Sequence, residues 1–123
     1  MGLFSRGNLA FEKINLSRSK IASDGYATIT LNVKNRDQKF DGLVAVTETD
    51  DLQGQYLKID TPSLSLPALD FPNRNTGDHK ITLTPHNIPL SEMSFRIHLK
   101  IMAGGADRPV LEKKFSLTVT KKQ

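Results

Sequence analysis

Apolar and polar residues take turns along four stretches of the chain. From Tyr26 to Lys34, Ala27, Ile29, Leu31 and Val33 fall on one side, and Tyr26, Thr28, Thr30, Asn32 and Lys34 on the other. A helix would scatter these apolar positions around its circumference, whereas a strand gathers them on one face. Lys80–Thr84 repeats the pattern with Ile81 and Leu83 inward. Met93–Ile101 does so with Met93, Phe95, Ile97, Leu99 and Ile101. The last run places Leu111, Phe115, Leu117 and Val119 on one face, with Lys113 as the exception. Thr, Val and Ile suit such a pleated, half-buried surface.

Weaker strands lie between these runs. Leu9–Leu16 changes phase between Phe11 and Ile14, which predicts a bulge. Leu43–Thr49 is nearly continuous in apolar character, and its facing is open; Val44 and Val46 are taken as the inward pair. Tyr56–Asp60 is short. Leu64-Ser65-Leu66 and Leu69-Asp70-Phe71 are out of phase across Pro67, and proline cannot donate to a ladder, so this stretch predicts an edge or interrupted strand. Asp24-Gly25, Asp41-Gly42, Asn75-Thr76-Gly77, Pro85–Pro89 and Gly104-Gly105 punctuate the runs. Pro89–Met93 has the makings of one helical turn, and no longer segment has a helical period.

Seven or eight short strands at this spacing predict an all-β antiparallel sandwich. Its core would be Ala27, Ile29, Leu31, Val33, Val44, Val46, Ile81, Leu83, Phe95, Ile97, Leu99, Ile101, Phe115, Leu117 and Val119. The expected organisation is a flexible N-terminus over 1–8, one domain over 9–120, and a frayed end over 121–123. Leu3 and Phe4 are expected to dock on the sandwich. The length, 123 residues, suits a single core.

The residues around the second strand resemble a known family. A Ser-rich connection, the Asp24-Gly25 turn and a strand ending Leu31-Asn32-Val33-Lys34-Asn35 are similar to the CARDB domains of archaeal and bacterial surface proteins. Asn75-Thr76-Gly77-Asp78-His79-Lys80-Ile81 looks like that family's turn into its fifth strand. The resemblance implies an immunoglobulin-like sandwich. The Val-Lys-Asn also resembles the water-stress domain of late-embryogenesis proteins, but there an Asn-Pro follows, and here Arg36 follows Asn35. CARDB-type modules sit in long secreted chains behind a signal peptide. The start Met1-Gly2-Leu3-Phe4-Ser5-Arg6 has neither a signal-peptide pattern nor, at position 6, the Ser or Thr of a myristoylation site, so the expectation is a cytoplasmic protein, with a fragment of a longer secreted protein as the alternative.

Charge and chemistry narrow the function classes. There is no Cys, which excludes disulfides, thiolate metal sites and cysteine nucleophiles. No apolar run approaches the roughly 20 residues of a membrane span. No Gly-x-Ser-x-Gly occurs, and Gly104-Gly105 precedes no helix that would cradle a phosphate. His79, His86 and His98 lack partners at metal-site spacing, and Arg96 and Lys100 beside His98 disfavour a metal there. The chain is therefore expected to be no enzyme and to need no cofactor.

Two charged regions remain. Residues 41–72 carry six acids against Lys58. Glu48, Asp50 and Asp51 form a candidate calcium loop, since hard cations take converging oxygen ligands. The competing reading, favoured by the absence of Asp-x-Asp-x-Asp, is a solvated loop that guards an edge strand. The flanking regions are basic. Arg96, His98 and Lys100 form an outward row, with Lys114 on the neighbouring strand, so a phosphate backbone or an acidic partner is a candidate ligand. The competing reading is an ordinary charged face in which Glu112 pairs with Arg96 or Lys100. Nucleic-acid binding by a β-surface also calls for exposed aromatics, and only Tyr26 is expected outward. The reading that survives is a protein-interaction module acting through a strand edge or loops, one form of which is an edge-to-edge homodimer. Nucleic-acid or anion binding through Arg96, His98, Lys100 and Lys114 is the alternative.

Overall fold

The computed structural model describes residues 9–51, 55–104 and 108–122. The expectations for residues 1–8, including Leu3 and Phe4, and for Gly105 and Gln123 fall outside them. Nine strands form in chain order: β1 (Leu9–Leu16), β2 (Lys20–Ala22), β3 (Ala27–Asn35), β4 (Val44–Thr49), β5 (Leu57–Ile59), β6 (Ser63–Ser65), β7 (His79–Pro85), β8 (Glu92–Met102) and β9 (Leu111–Thr120). They make two sheets, β1-β3-β7-β5 and β2-β9-β8-β4-β6. The fold is an all-β sandwich, with one strand more than the upper expectation of eight, the three-residue β2.

The four alternating stretches become β3, β7, β8 and β9, and they bury the predicted faces. Ala27, Ile29, Leu31, Val33, Ile81, Leu83, Phe95, Ile97, Leu99, Ile101, Leu117 and Val119 are all in the core. Burying each such side chain stabilises the fold by roughly 1.5–3 kcal/mol before chain entropy is counted. The bulge falls where the phase changes, with the β1–β3 register shifting between Phe11 and Lys13. The segment around Pro67 is the edge: β6 pairs only with β4, and a single bridge joins Phe40 to Leu69.

Three expectations are corrected. Val44 and Val46 are half-exposed, and Leu43, Ala45 and Thr47 point inward instead. Ala45 and Thr47 lie opposite Ile101 and Leu99 of β8, whose inward phase is fixed, so β4 follows it. Phe115 is half-buried and packs against the core from β9, along the part that β2 does not cover. Pro89–Met93 forms no helical turn: β8 already begins at Glu92, and the Lys121 N–H donates to the Ser91 carbonyl at 2.8 Å, extending the β8–β9 ladder. One pair is also not antiparallel, since β2 runs parallel to β9 with Lys20, Ile21 and Ala22 beside Thr118, Val119 and Thr120.

Candidate functional site

The β9–β8–β4 face gathers most of the charged candidates. Register puts Glu48 of β4, His98 of β8 and Lys114 of β9 in one row, and Lys100 opposite Glu112 in the next. The side chains pair diagonally. His98 Nε2 donates to Glu112 Oε1 at 2.7 Å, and Lys100 Nζ donates to Glu48 Oε1 at 3.1 Å. The expected neutralisation by Glu112 therefore occurs through His98, not through Arg96 or Lys100. Among the described residues Arg96 and Lys114 form no ion pair. Of the four cationic candidates two are held by carboxylates, so the face is a mixed-charge surface.

Glu48, Asp50 and Asp51 are close in sequence but spend their carboxylates separately. Glu48 holds Lys100. Asp50 Oδ1 accepts from the Arg96 backbone N–H at 3.1 Å. Asp51 accepts the backbone N–H groups of Gln55, Tyr56 and Leu57, with the last two at 2.7 and 2.9 Å on one oxygen. Burial raises the Asp51 carboxyl's pKa, but the Tyr56, Leu57 and Gln55 N–H groups together outweigh this and hold it below the ordinary aspartate value. Among the described residues no group of three or more His, Asp or Glu is placed to hold a metal ion. His79 Nε2 donates to the Thr76 carbonyl at 3.0 Å, and His86 lies beside Asn87.

In β9, the Thr118 N–H donates away from β8 to the Ser19 carbonyl, and the Thr120 carbonyl accepts from the Ser23 N–H. Backbone direction alternates along a strand, so Ser116, Lys114 and Glu112 present their N–H and C=O groups to the same side. β2 covers only Thr118–Thr120. From Leu111 to Leu117 no strand pairs with this side of β9 among the described residues, although β1 of the other sheet passes close to β9.

The other three edges are blunted. β1 carries the bulge. In β5, the outward N–H of Leu57 is taken by Asp51. β6 is three residues long between Pro62 and Pro67. Bulges, short strands and prolines are the ordinary devices that stop an edge from pairing.

A cleft of about 430 Å³ opens between β4 and β5, lined by Thr47, Thr49, Leu57, Ile59 and Pro62 with Glu48, Asp51 and Lys58 at hand. Thr47 is 3% exposed, and its hydroxyl has no hydrogen-bond partner in the described structure. The buried polar residues elsewhere are satisfied. Asn35 donates to the Gln38 and Phe71 carbonyls and accepts from the Arg74 N–H, clamping two loops. Thr76 Oγ1 accepts from the Val33 N–H, and Asn32 donates to Asp78. The Lys13 ammonium, then the Asn32 amide, hold the Asp78 carboxyl below its usual pKa. These residues are the ones that carry the family resemblance in sequence. Their visible role is to fasten the Asn73–Asp78 turn over the end of β3.

No family model matches the sequence, and no curated protein matches it. Solved structures do match in fold. The chain is similar to the periplasmic chaperone SfaE at 12% identity and a TM-score of 0.53, over 90% of this chain and 58% of that one. It thus spans little more than half of that chaperone. It is also similar to the cupredoxin domain of amoB from Nitrosocaldus yellowstonii, at 11% identity and a TM-score of 0.54, over 92% of this chain and 87% of that one. A CARDB domain from Pyrococcus furiosus, solved in complex with di-metal ions, matches at 12% identity and a TM-score of 0.50, over 92% of this chain and 99% of that one. The resemblance read from Val33-Lys34-Asn35 and Asn75–Ile81 therefore has a counterpart in three dimensions. At these identities the likeness is one of fold, and fold alone does not assign an activity.

Proposed function

We propose that this chain is a non-enzymatic protein-interaction module, and that it takes an extended partner segment onto the open side of β9. The observation that carries this reading is the half-covered last strand: β9 has ten residues and β2 pairs with three of them. Glu112, Lys114 and Ser116 offer ladder-ready N–H and C=O groups next to an established sheet. Main-chain hydrogen bonds give such an addition its affinity, and neighbouring side chains its selectivity. The similarity to a chaperone fold agrees with contact to another protein chain. Lys100 and His98, committed to Glu48 and Glu112, leave the anion-binding alternative resting on Arg96 and Lys114.

The test is Ser116→Pro. The Ser116 N–H faces the open side, so proline there costs no β8–β9 hydrogen bond and changes no charge. The variant should remain folded by circular dichroism and lose the proteins that copurify with the wild-type chain from its own host. Identical recovery by both proteins would reject the reading, as would a wild-type chain that recovers nothing.

A further inference from the structure

Resting on that strand-addition reading, we infer that the segment β9 accepts is acidic, and that a second copy of this chain is refused at the same edge. The charge around the open side is one-sided. Lys114 stands on its outer face. Lys113 lies opposite the fully buried Leu99, yet its side chain is exposed along the uncovered stretch of the strand. Arg96, the cross-strand partner of Ser116, adds a third cation on the outer face. None of the three has an ion-pair partner among the described residues: Glu112 is occupied by His98, and Asp50, beside Arg96, accepts that residue's backbone N–H.

The same lysines exclude self-pairing. Two copies related by a two-fold axis would set β9 antiparallel to itself. Of the central registers that match the open N–H and C=O groups, those centred on 114 and 113 place Lys114 opposite Lys114 or Lys113 opposite Lys113, and one centred on Phe115 runs residues 110–112 of each copy into β2, which already covers Thr118–Thr120. Like charges directly opposite across a ladder are unfavourable. A segment bearing Asp or Glu meets cations on both faces of the strand instead. The lysines so act twice, against the chain's own edge and for an acidic one.

Three labelled synthetic peptides test this with the full chain, by fluorescence anisotropy at low salt: alternating Val and Glu, alternating Val and Ser, and alternating Val and Lys. The expected result is binding of the Val–Glu peptide alone, weakened by added salt and abolished by Ser116→Pro. Alternation puts every Glu on one face of the added strand and every Val on the other, so Lys114→Gln, on the outer face with the Glu row, should weaken it by roughly two- to fivefold, the range of an exposed ion pair, and Lys113→Gln by less. Joint charge reversal, Lys113→Glu with Lys114→Glu, should transfer the preference to the Val–Lys peptide. Equal binding of all three peptides, each lost with Ser116→Pro, would overturn the acidic preference and leave strand addition standing. Binding that Ser116→Pro does not affect would overturn strand addition itself. Sedimentation showing a wild-type dimer that Ser116→Pro dissociates would overturn the exclusion of a second copy.

Discussion

Thr47 places a hydroxyl beside Ala45 and opposite Leu99, and among the described residues it finds nothing to bond. A buried polar group left unpaired costs about 1–3 kcal/mol. Val has nearly the same shape without the oxygen. Thr47→Val should therefore raise the urea midpoint, by about 1 kcal/mol in unfolding free energy; a lowered midpoint would show that the hydroxyl is bonded after all. Asp51 is the opposite case, a carboxylate with three N–H donors. Its folded-state pKa lies below the unfolded one, so the ionised form stabilises the fold. That contribution is fully present above the ordinary aspartate value, near 3.9, and is lost as pH falls through the lower folded value. Asp51→Asn keeps one acceptor oxygen but no charge. It should be less stable than wild type at neutral pH, and the gap should close below about pH 4. Urea midpoints across a pH series read this directly, and a gap that is constant with pH would refute it. Neither residue could be singled out for these roles from sequence. Thr47 reads as an ordinary strand threonine, and Asp51 as one of several loop acids, because an orphaned hydroxyl depends on how the strands pack and the N–H cradle on where Gln55, Tyr56 and Leu57 come to lie.

At the scale of elements, what was legible depended on whether a segment carried its own phase. β3, β7 and β8 alternate without interruption, and one buried face follows from the two-residue repeat alone. β1 was legible down to its bulge because Phe11 and Ile14 cannot share a face without an extra residue. β4 was not, because Val44, Ala45 and Val46 are all apolar and Thr47 fits either side. Its facing is imposed by pairing with β8, and pairing is not written in five residues. β2 escaped notice for the same reason. Three residues after a Ser-rich connection have no period, and Lys20–Ala22 is a strand only because Thr118–Thr120 lies beside it. The interaction surface follows the same logic. The cations Arg96 and Lys114 could be placed outward by parity, and so could His98 and Lys100. Which of them Glu48 and Glu112 neutralise depends on diagonal reach across the ladder. The open side of β9 is not legible in sequence, because it follows only from the strand order among the described residues.

For the whole molecule, the chain is closed by its two ends. β2 lies beside the last strand, and this seam is reinforced on both sides. The Thr118 N–H donates to Ser19, the Ser23 N–H to Thr120, the Lys122 N–H to the Ser23 hydroxyl, and Lys122 Nζ meets Asp24 at 2.7 Å. Lys122, read from sequence as part of a loose end, belongs to it, while Lys121 is tied to Ser91 on the β8 side. Ile21 anchors the seam to the core at 6% exposure. Contacts so distant in sequence carry the largest loop-closure cost, and they reward it only after the β3–β7 and β8–β9 layers have formed. Ile21→Ala should therefore destabilise the fold by about 2 kcal/mol. Nearly all of that should appear in unfolding, speeding it about 30-fold while leaving folding almost unchanged. Stopped-flow chevrons separate the two arms, and a folding rate that falls by the larger share would place β2 in the folding nucleus instead. The seam also sets the size of the binding edge. β2 ends the uncovered stretch of β9 at Thr118, so a variant that loosens β2 lengthens the row of open backbone groups beyond Ser116. If an extended segment adds to β9, Ile21→Ala should hold it no less well than wild type even as the protein itself becomes easier to unfold, a divergence that a general loss of structure cannot produce.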